Sequence, residues 1–227
     1  MNCTISVIIA AGGSSLRYGE KDKLLEMLGD LPVFLHSVRN FSAVCRWENM
    51  VVAVRPEALE DYRCITGKFM PGVKVNFVSG GKDRSGSVRN ALDFLPAAEG
   101  VVAVHDAARP LADAGMLMKA VSRAAVTGGA VVGVRVVDSL KIVDSSGRIS
   151  SPVSRDGLFR AETPQVFDIA ALRKAYQMCA GESATDDAEI MRKAGFEVEV
   201  VETGRFNIKL TSPGDLELLR IFYNAGK

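Results

Sequence analysis

Short apolar runs, rich in β-branched residues, recur along this chain, and the stretches between them place apolar residues at helical spacing. Ile5 to Ala10, Met50 to Val54, Val73 to Val78, Val101 to Val104 and Ala130 to Val136 read as strands. Phe34, Val38, Phe41 and Cys45 form a helical stripe behind Pro32, which suits a helix start. Val88, Ala91, Leu92 and Leu95 mark a second helix between Arg84 and Leu95, and Gly115 to Val126 a third. Strands apolar on both faces and joined by helices need cover on both sides. The pattern therefore predicts an α/β protein, a three-layer Rossmann-like sandwich with a mostly parallel sheet. The last helix is announced by Ser212 as N-cap, Pro213 in the first turn and Asp215 near the positive end of the helix dipole.

One segment breaks the alternation. From Val137 to Asp156, short β runs surround an Asp-Ser-Ser-Gly turn with no helical stripe, so a β-arm is expected at about 137–156. With no repeat, low-complexity tract or linker in view, residues 1–227 are expected to form a single domain with that arm projecting from it.

The 227 residues carry a net charge of +1, which offers no broad basic face for nucleic acid. Cys3, Cys45, Cys64 and Cys179 form no CxxC pair, and with only His36 and His105 beside them a structural zinc site is not expected. Reduced thiols and an apolar run too short to span a bilayer suggest a cytoplasmic protein without membrane segment or leader.

The first strand runs into "AAGGSSLRYGEKDKLL". In open α/β sheets, ligands bind at the carboxyl ends of the strands, and small residues there let backbone N–H groups approach an anion. Arg17 and Lys23 add a forked and a point-like cation for phosphate. Neither the GxxxxGK[ST] nor the GxGxxG pattern is present, so a P-loop NTPase and a dinucleotide enzyme are not indicated. By composition alone, plain turn chemistry explains the loop equally well.

Ala10-Ala11-Gly12 with Arg17, Gly19 and Lys23 resembles the signature loop of the sugar-phosphate nucleotidyltransferases. Further blocks follow in order: Gly80-Gly81 with Arg84 and Ser87, "HDAARP" from His105, "DSLK" from Asp138, "SRDGL" from Ser154, "TPQVF" from Thr163, "TDDA" from Thr185 and "NIKLT" from Asn207. Within that superfamily they are most similar to the 2-C-methyl-D-erythritol 4-phosphate cytidylyltransferase family of non-mevalonate isoprenoid synthesis.

The resemblance implies attack by a polyol phosphate on the α-phosphorus of CTP, with Mg²⁺ or another divalent cation. It implies catalytic roles for Arg17, Lys23 and Lys209, and nucleotide contacts from Ala10, Ala11, Gly12, Gly13, Ser14, Gly80, Gly81, Arg84 and Ser87. Asp106, Arg109, Ser139, Arg155, Thr163 and Lys209 are implied for the acceptor, with Asp106 also a candidate metal ligand. It further implies a homodimer through the arm, with Arg155 and Thr163 serving the neighbouring site. His105 reads as structural, and Asp106 with Arg109 also fits a structural ion pair.

Three departures stand out. The first loop is one residue longer than the family spacing, with Ser14-Ser15 replacing a glycine. Asp22 adds negative charge beside Lys23, which is expected to alter CTP affinity. Ser139 stands where threonine is common. Ribitol 5-phosphate as acceptor, and a nucleotide-binding module without catalysis, are the competing readings.

Overall fold

Side-chain parity along the strands builds the layers. In β1 (Ile5–Ala11), Val7 and Ile9 pack on one side of the sheet and Ile8 on the other, and none of the three is exposed. In β4 (Met50–Val54), Met50, Val52 and Val54 join the first side while Val51 and Ala53 join the second. Successive residues of a strand point to opposite faces, so an unbroken apolar run needs two cores. Each buried Val or Ile contributes about 1.5–3 kcal/mol relative to an exposed one.

The computed structural model describes residues 4–13, 18–19, 22–204 and 207–226. After a short hairpin of β2 (Met27–Leu28) and β3 (Leu31–Pro32), helices α1 (Val33–Phe41) and α2 (Leu59–Phe69) cover the first face. α4 (Ala114–Thr127) and α7 (Pro213–Ala225) complete that layer. α3 (Arg84–Phe94), α5 (Ile169–Met178) and α6 (Asp187–Lys193) cover the second face. The remaining strands are β5 (Asn76–Ser79), β6 (Val101–Asp106), β7 (Gly129–Arg135), β8 (Leu140–Val143), β9 (Ile149–Val153), β10 (Phe159–Asp168) and β11 (Glu199–Glu202).

Among the described residues, seven strands form one sheet in the order β11-β7-β10-β6-β1-β4-β5. Only β10 runs against its neighbours, β6 and β7; the other pairings are parallel. The three-layer, mostly parallel sandwich expected from the sequence is the observed fold. β5 begins at Asn76, later than the expected Val73. The chain leaves β1 towards β4 on one side and reaches β6 on the other, which makes the β1–β6 crevice a switch point.

Asp side chains start α3, α4, α5 and α6: Asp83, Asp113, Asp168 and Asp186 each accept a backbone N–H of the first turn. α7 begins with the expected Ser212, closed into a capping box with Asp215. The arm is β8 paired with β9 in a separate two-stranded sheet, turning through Asp144, Ser146 and Gly147. Val137, Leu140, Ile142, Val143 and Ile149 are exposed on it.

Candidate active site

The cluster at the switch point is built around Asp106, the last residue of β6, which stands opposite Ala10 of β1. Its Oδ2 lies 2.6 Å from Lys209 Nζ and 3.9 Å from Arg109 Nε, and its Oδ1 lies 3.3 Å from Arg84 Nε. Burial by itself would raise the carboxyl's pKa. Lys209 and Arg84 overcome that and hold it well below the usual carboxylate range.

Behind it, the Asp106 backbone N–H donates to Thr163 Oγ1 at 3.0 Å. The Thr163 hydroxyl lies 3.1 Å from His105 Nδ1, and His105 Nε2 lies 3.1 Å from the Arg109 carbonyl. The carbonyl can only accept, so Nε2 carries the proton and Nδ1 accepts from Thr163. Burial lowers the His105 pKa to about 4 and keeps the ring neutral. His105 is structural, as its sequence context suggests. Thr163, implied for the neighbouring subunit's site, is buried in this chain, its hydroxyl accepting the Asp106 N–H and donating to His105.

Lys209 is placed by a seam between "NIKLT" and "HDAARP". Leu210 N–H donates to Ala108 O at 2.8 Å, Arg109 Nη1 to Asn207 O at 2.7 Å, and Asn207 Nδ2 to Thr163 O at 2.7 Å. Lys209 keeps 42% of its side chain exposed while Asn207 beneath it is buried. Arg109 is largely enclosed, lying 3.8 Å from Glu162 as well as near Asp106, so it braces the seam rather than facing solvent.

The second loop meets the first at Ser87. Its hydroxyl donates to Asp83 O at 2.9 Å and accepts from Gly81 N–H at 3.1 Å. A Cβ on Gly12 would lie 3.3 Å from that hydroxyl, and one on Gly80 only 2.8 Å away. Gly81 packs on the Gly86 backbone so closely that a Cβ would sit 2.6 Å from it. Close packing of loop on loop thus accounts for the double glycine. Ala10, Ala11, Gly12, Gly13, Gly80, Gly81 and Ser87 gather at one edge; Ser14 and Arg17 lie outside the described residues.

Lys23 opens a short 3-10 turn, and its charge helps to lower the pKa of the Asp215 carboxyl at the start of α7. Asp22 is not left as a free negative charge there. It lies 3.0 Å from Arg55, accepts the Tyr62 hydroxyl at 3.0 Å and caps Leu24 N–H at 3.1 Å. Arg84, implied for the nucleotide, is engaged with protein carboxylates: Asp106, and Asp187 at 2.6 Å. Those carboxylates, Asp187 first, raise its pKa against the opposing effect of burial. Ser139 and Arg155 are exposed on the arm, where Arg155 donates to the Val137 carbonyl rather than joining the Asp106 cluster.

Among the described residues, no three His, Cys, Asp or Glu side chains are grouped to hold a metal ion. Both Asp106 oxygens already face cations, so these residues do not make a resident Mg²⁺ site. Asp187, Tyr176, Gln165 and Asn207 belong to the cluster's support and carried no assigned role in the sequence reading. The "TDDA", "TPQVF" and "NIKLT" blocks carry a signal for Asp187, Gln165 and Asn207; Tyr176 lies outside every block.

An open Rossmann-like sheet with paired glycine loops and a basic cluster at its switch point is the arrangement of a nucleotide-binding α/β protein. Residues 5–224 match the family model described as IspD, 2-C-methyl-D-erythritol 4-phosphate cytidylyltransferase, and the chain belongs to that family. It is 36% identical over 231 residues to the 2-C-methyl-D-erythritol 4-phosphate cytidylyltransferase of Solibacter usitatus, covering 96% of this chain and 95% of that one. To the Cereibacter sphaeroides protein of the same name it is 37% identical over 217 residues, covering 93% of each. The Thermus thermophilus crystal structure bearing that name superposes with a TM-score of 0.81 at 27% identity, over 97% of this chain and 99% of that one.

Proposed function

We propose that this protein joins CTP to 2-C-methyl-D-erythritol 4-phosphate, giving 4-diphosphocytidyl-2-C-methyl-D-erythritol and pyrophosphate for isoprenoid precursor synthesis. The observation that carries this is the family match from residue 5 to residue 224. An oxygen of the acceptor phosphate bonds to the α-phosphorus; the α–β bridging P–O bond breaks, and its electrons leave with pyrophosphate. A phosphate monoester is mostly dianionic at neutral pH, its second pKa being about 6, so the nucleophile needs no general base. What it needs is positive charge and alignment.

Lys209 is the group we assign to the charge developing between the two substrates, with Asp106 fixing its Nζ. Lys23 is assigned to the triphosphate, together with Arg17 of the neighbouring undescribed stretch. The Ser87 hydroxyl, having donated once and accepted once, keeps one lone pair. That acceptor suits the cytosine amino group and not the uracil carbonyl. Mg²⁺ belongs, in this reading, to the nucleotide substrate, with its oxygens supplied mainly by the phosphates.

The exposed apolar side chains of the arm support a two-fold homodimer that buries them. In such a dimer, Ser139 and Arg155 are the arm residues we assign to the acceptor. Among the described residues, the thiols of Cys45, Cys64 and Cys179 are unpaired, and no helix is long and apolar enough to cross a membrane. The free thiols support a cytoplasmic setting.

Ribitol 5-phosphate and a non-catalytic role are not favoured, since the family model and the relatives above are methylerythritol phosphate cytidylyltransferases. Pyrophosphate release with CTP and Mg²⁺, run beside both acceptors, is the test. Turnover on methylerythritol phosphate is expected; turnover on ribitol phosphate alone, or on neither, overturns the assignment.

A further inference from the structure

Asp187 is the first residue of α6 and is completely buried. Its Oδ1 accepts the Tyr176 hydroxyl at 2.6 Å, and its Oδ2 accepts Arg84 Nη1 at 2.6 Å. A carboxylate removed from water persists only when paired this closely. The start of α6 is itself clamped. Gln165 donates to Asp186 Oδ2 at 2.9 Å and accepts Ala188 N–H at 3.1 Å. Gln165 lies on β10 two residues beyond Thr163, which accepts the Asp106 backbone N–H. In the side-chain chain running Tyr176, Asp187, Arg84, Asp106, Lys209, one strand therefore braces the helix start that carries Asp187 and the backbone of Asp106.

Within that chain the two contacts of Arg84 are unequal. Nη1 is 2.6 Å from Asp187, whereas Nε is 3.3 Å from Asp106, and Nη2 is buried with no partner among the described residues. The guanidinium is thus drawn towards Asp187 and only leans on Asp106. Asp106 gives its short contact, 2.6 Å, to Lys209.

We propose that Asp187 is a positioning residue for the Asp106–Lys209 pair, acting through Arg84. By holding Arg84 back, it leaves Asp106 to Lys209. With that charge removed, Arg84 closes on Asp106, and Lys209 loses the partner that aims it. This rests on the reaction proposed above.

The test uses the full chain carrying Asp187→Asn or Tyr176→Phe, each first shown to unfold cooperatively. In Asp187→Asn, kcat is expected to fall about 10- to 100-fold while KM for CTP stays within about threefold, as a misplaced cation affects the chemical step. Tyr176→Phe removes the hydrogen bond that orients the Asp187 carboxylate, lets it turn from Arg84, and shows a smaller loss in the same direction. Acetylation of Lys209 by acetic anhydride, read by mass spectrometry against Lys119, rises in both variants because Nζ is released.

Wild-type kcat and wild-type Lys209 labelling in a folded variant overturn the proposal. So does a rise in KM for CTP with kcat unchanged, which makes Arg84 a nucleotide ligand. Should Asp187→Asn not fold, Tyr176→Phe decides by the same readouts. Should the wild type turn over neither acceptor, the proposed function fails, and the Lys209 labelling alone decides the positioning role.

Discussion

Lys209 Nζ meets Asp106 Oδ2 at 2.6 Å across 103 positions of the chain. Asp106→Asn keeps the side chain's size and removes the charge that fixes the lysine. We expect a folded protein whose kcat drops about 100-fold, the scale of a misplacement of about 1 Å. Pyrophosphate release in the variant checks this, and an unchanged kcat would remove the pair from the reaction.

His105 gives the stability a pH dependence of definite sign. Burial keeps it neutral in the folded protein down to about pH 4, whereas the unfolded chain takes up the proton near 6.5. Its contribution is complete above about 6.5 and is lost as pH falls towards about 4, because there only the unfolded state binds the proton. Between about pH 7 and pH 5 the loss from this group is about 2 kcal/mol. His36, also lowered by burial, adds to the same slope, and Asp106 acts only at lower pH. Urea unfolding at both pH values should show a smaller difference in His105→Gln than in the wild type.

Asp22→Asn separates a structural carboxylate from an electrostatic one. Its partners Arg55, Tyr62 and the Leu24 N–H are all protein groups. The variant should lose about 1–2 kcal/mol of stability, as a charged cap does, with KM for CTP moving less than about threefold. A large fall in KM on removing the charge would restore the sequence-based expectation.

Gly81 and Gly13 offer a matched pair. A Cβ on Gly81 collides with the Gly86 backbone at 2.6 Å, whereas one on Gly13 meets no atom of the described residues within 4 Å. Gly81→Ala is expected to cost about 1–3 kcal/mol and to weaken CTP binding, both visible in thermal melts with and without nucleotide. Without nucleotide, Gly13→Ala should melt like the wild type.

The arm predicts an assembly. Ile142 is 53% exposed and Ile149 65%. If these side chains are buried in a two-fold dimer, Ile142→Asp should give a monomer in sedimentation velocity, with acceptor turnover lost. Wild-type protein that sediments as a monomer would end that reading.

Most of the sheet was legible because its strands are apolar on both faces. Met50 to Val54 was bounded to the residue, and the Ser212 cap announced α7. β10 escaped because Glu162, Thr163 and Gln165 are buried polar residues, and their partners lie far off in sequence. The same distance hid the roles of Arg84 and Arg109. Arg84 finds Asp187 103 positions away, and Arg109 finds Asn207 98 away. Spacing along a chain reports local periodicity; it does not report which charge a folded sheet brings to which.

One reversed strand decides where the hairpin is rooted. Because β10 runs against β6 and β7, the chain leaves β7 and re-enters the sheet at the same rim, joined there by Val136 N–H to Leu158 O. Residues can therefore be added to or removed from the hairpin in pairs, one per leg, without shifting any pairing in the sheet. The reach of that extension can therefore change while the rim beneath it stays fixed.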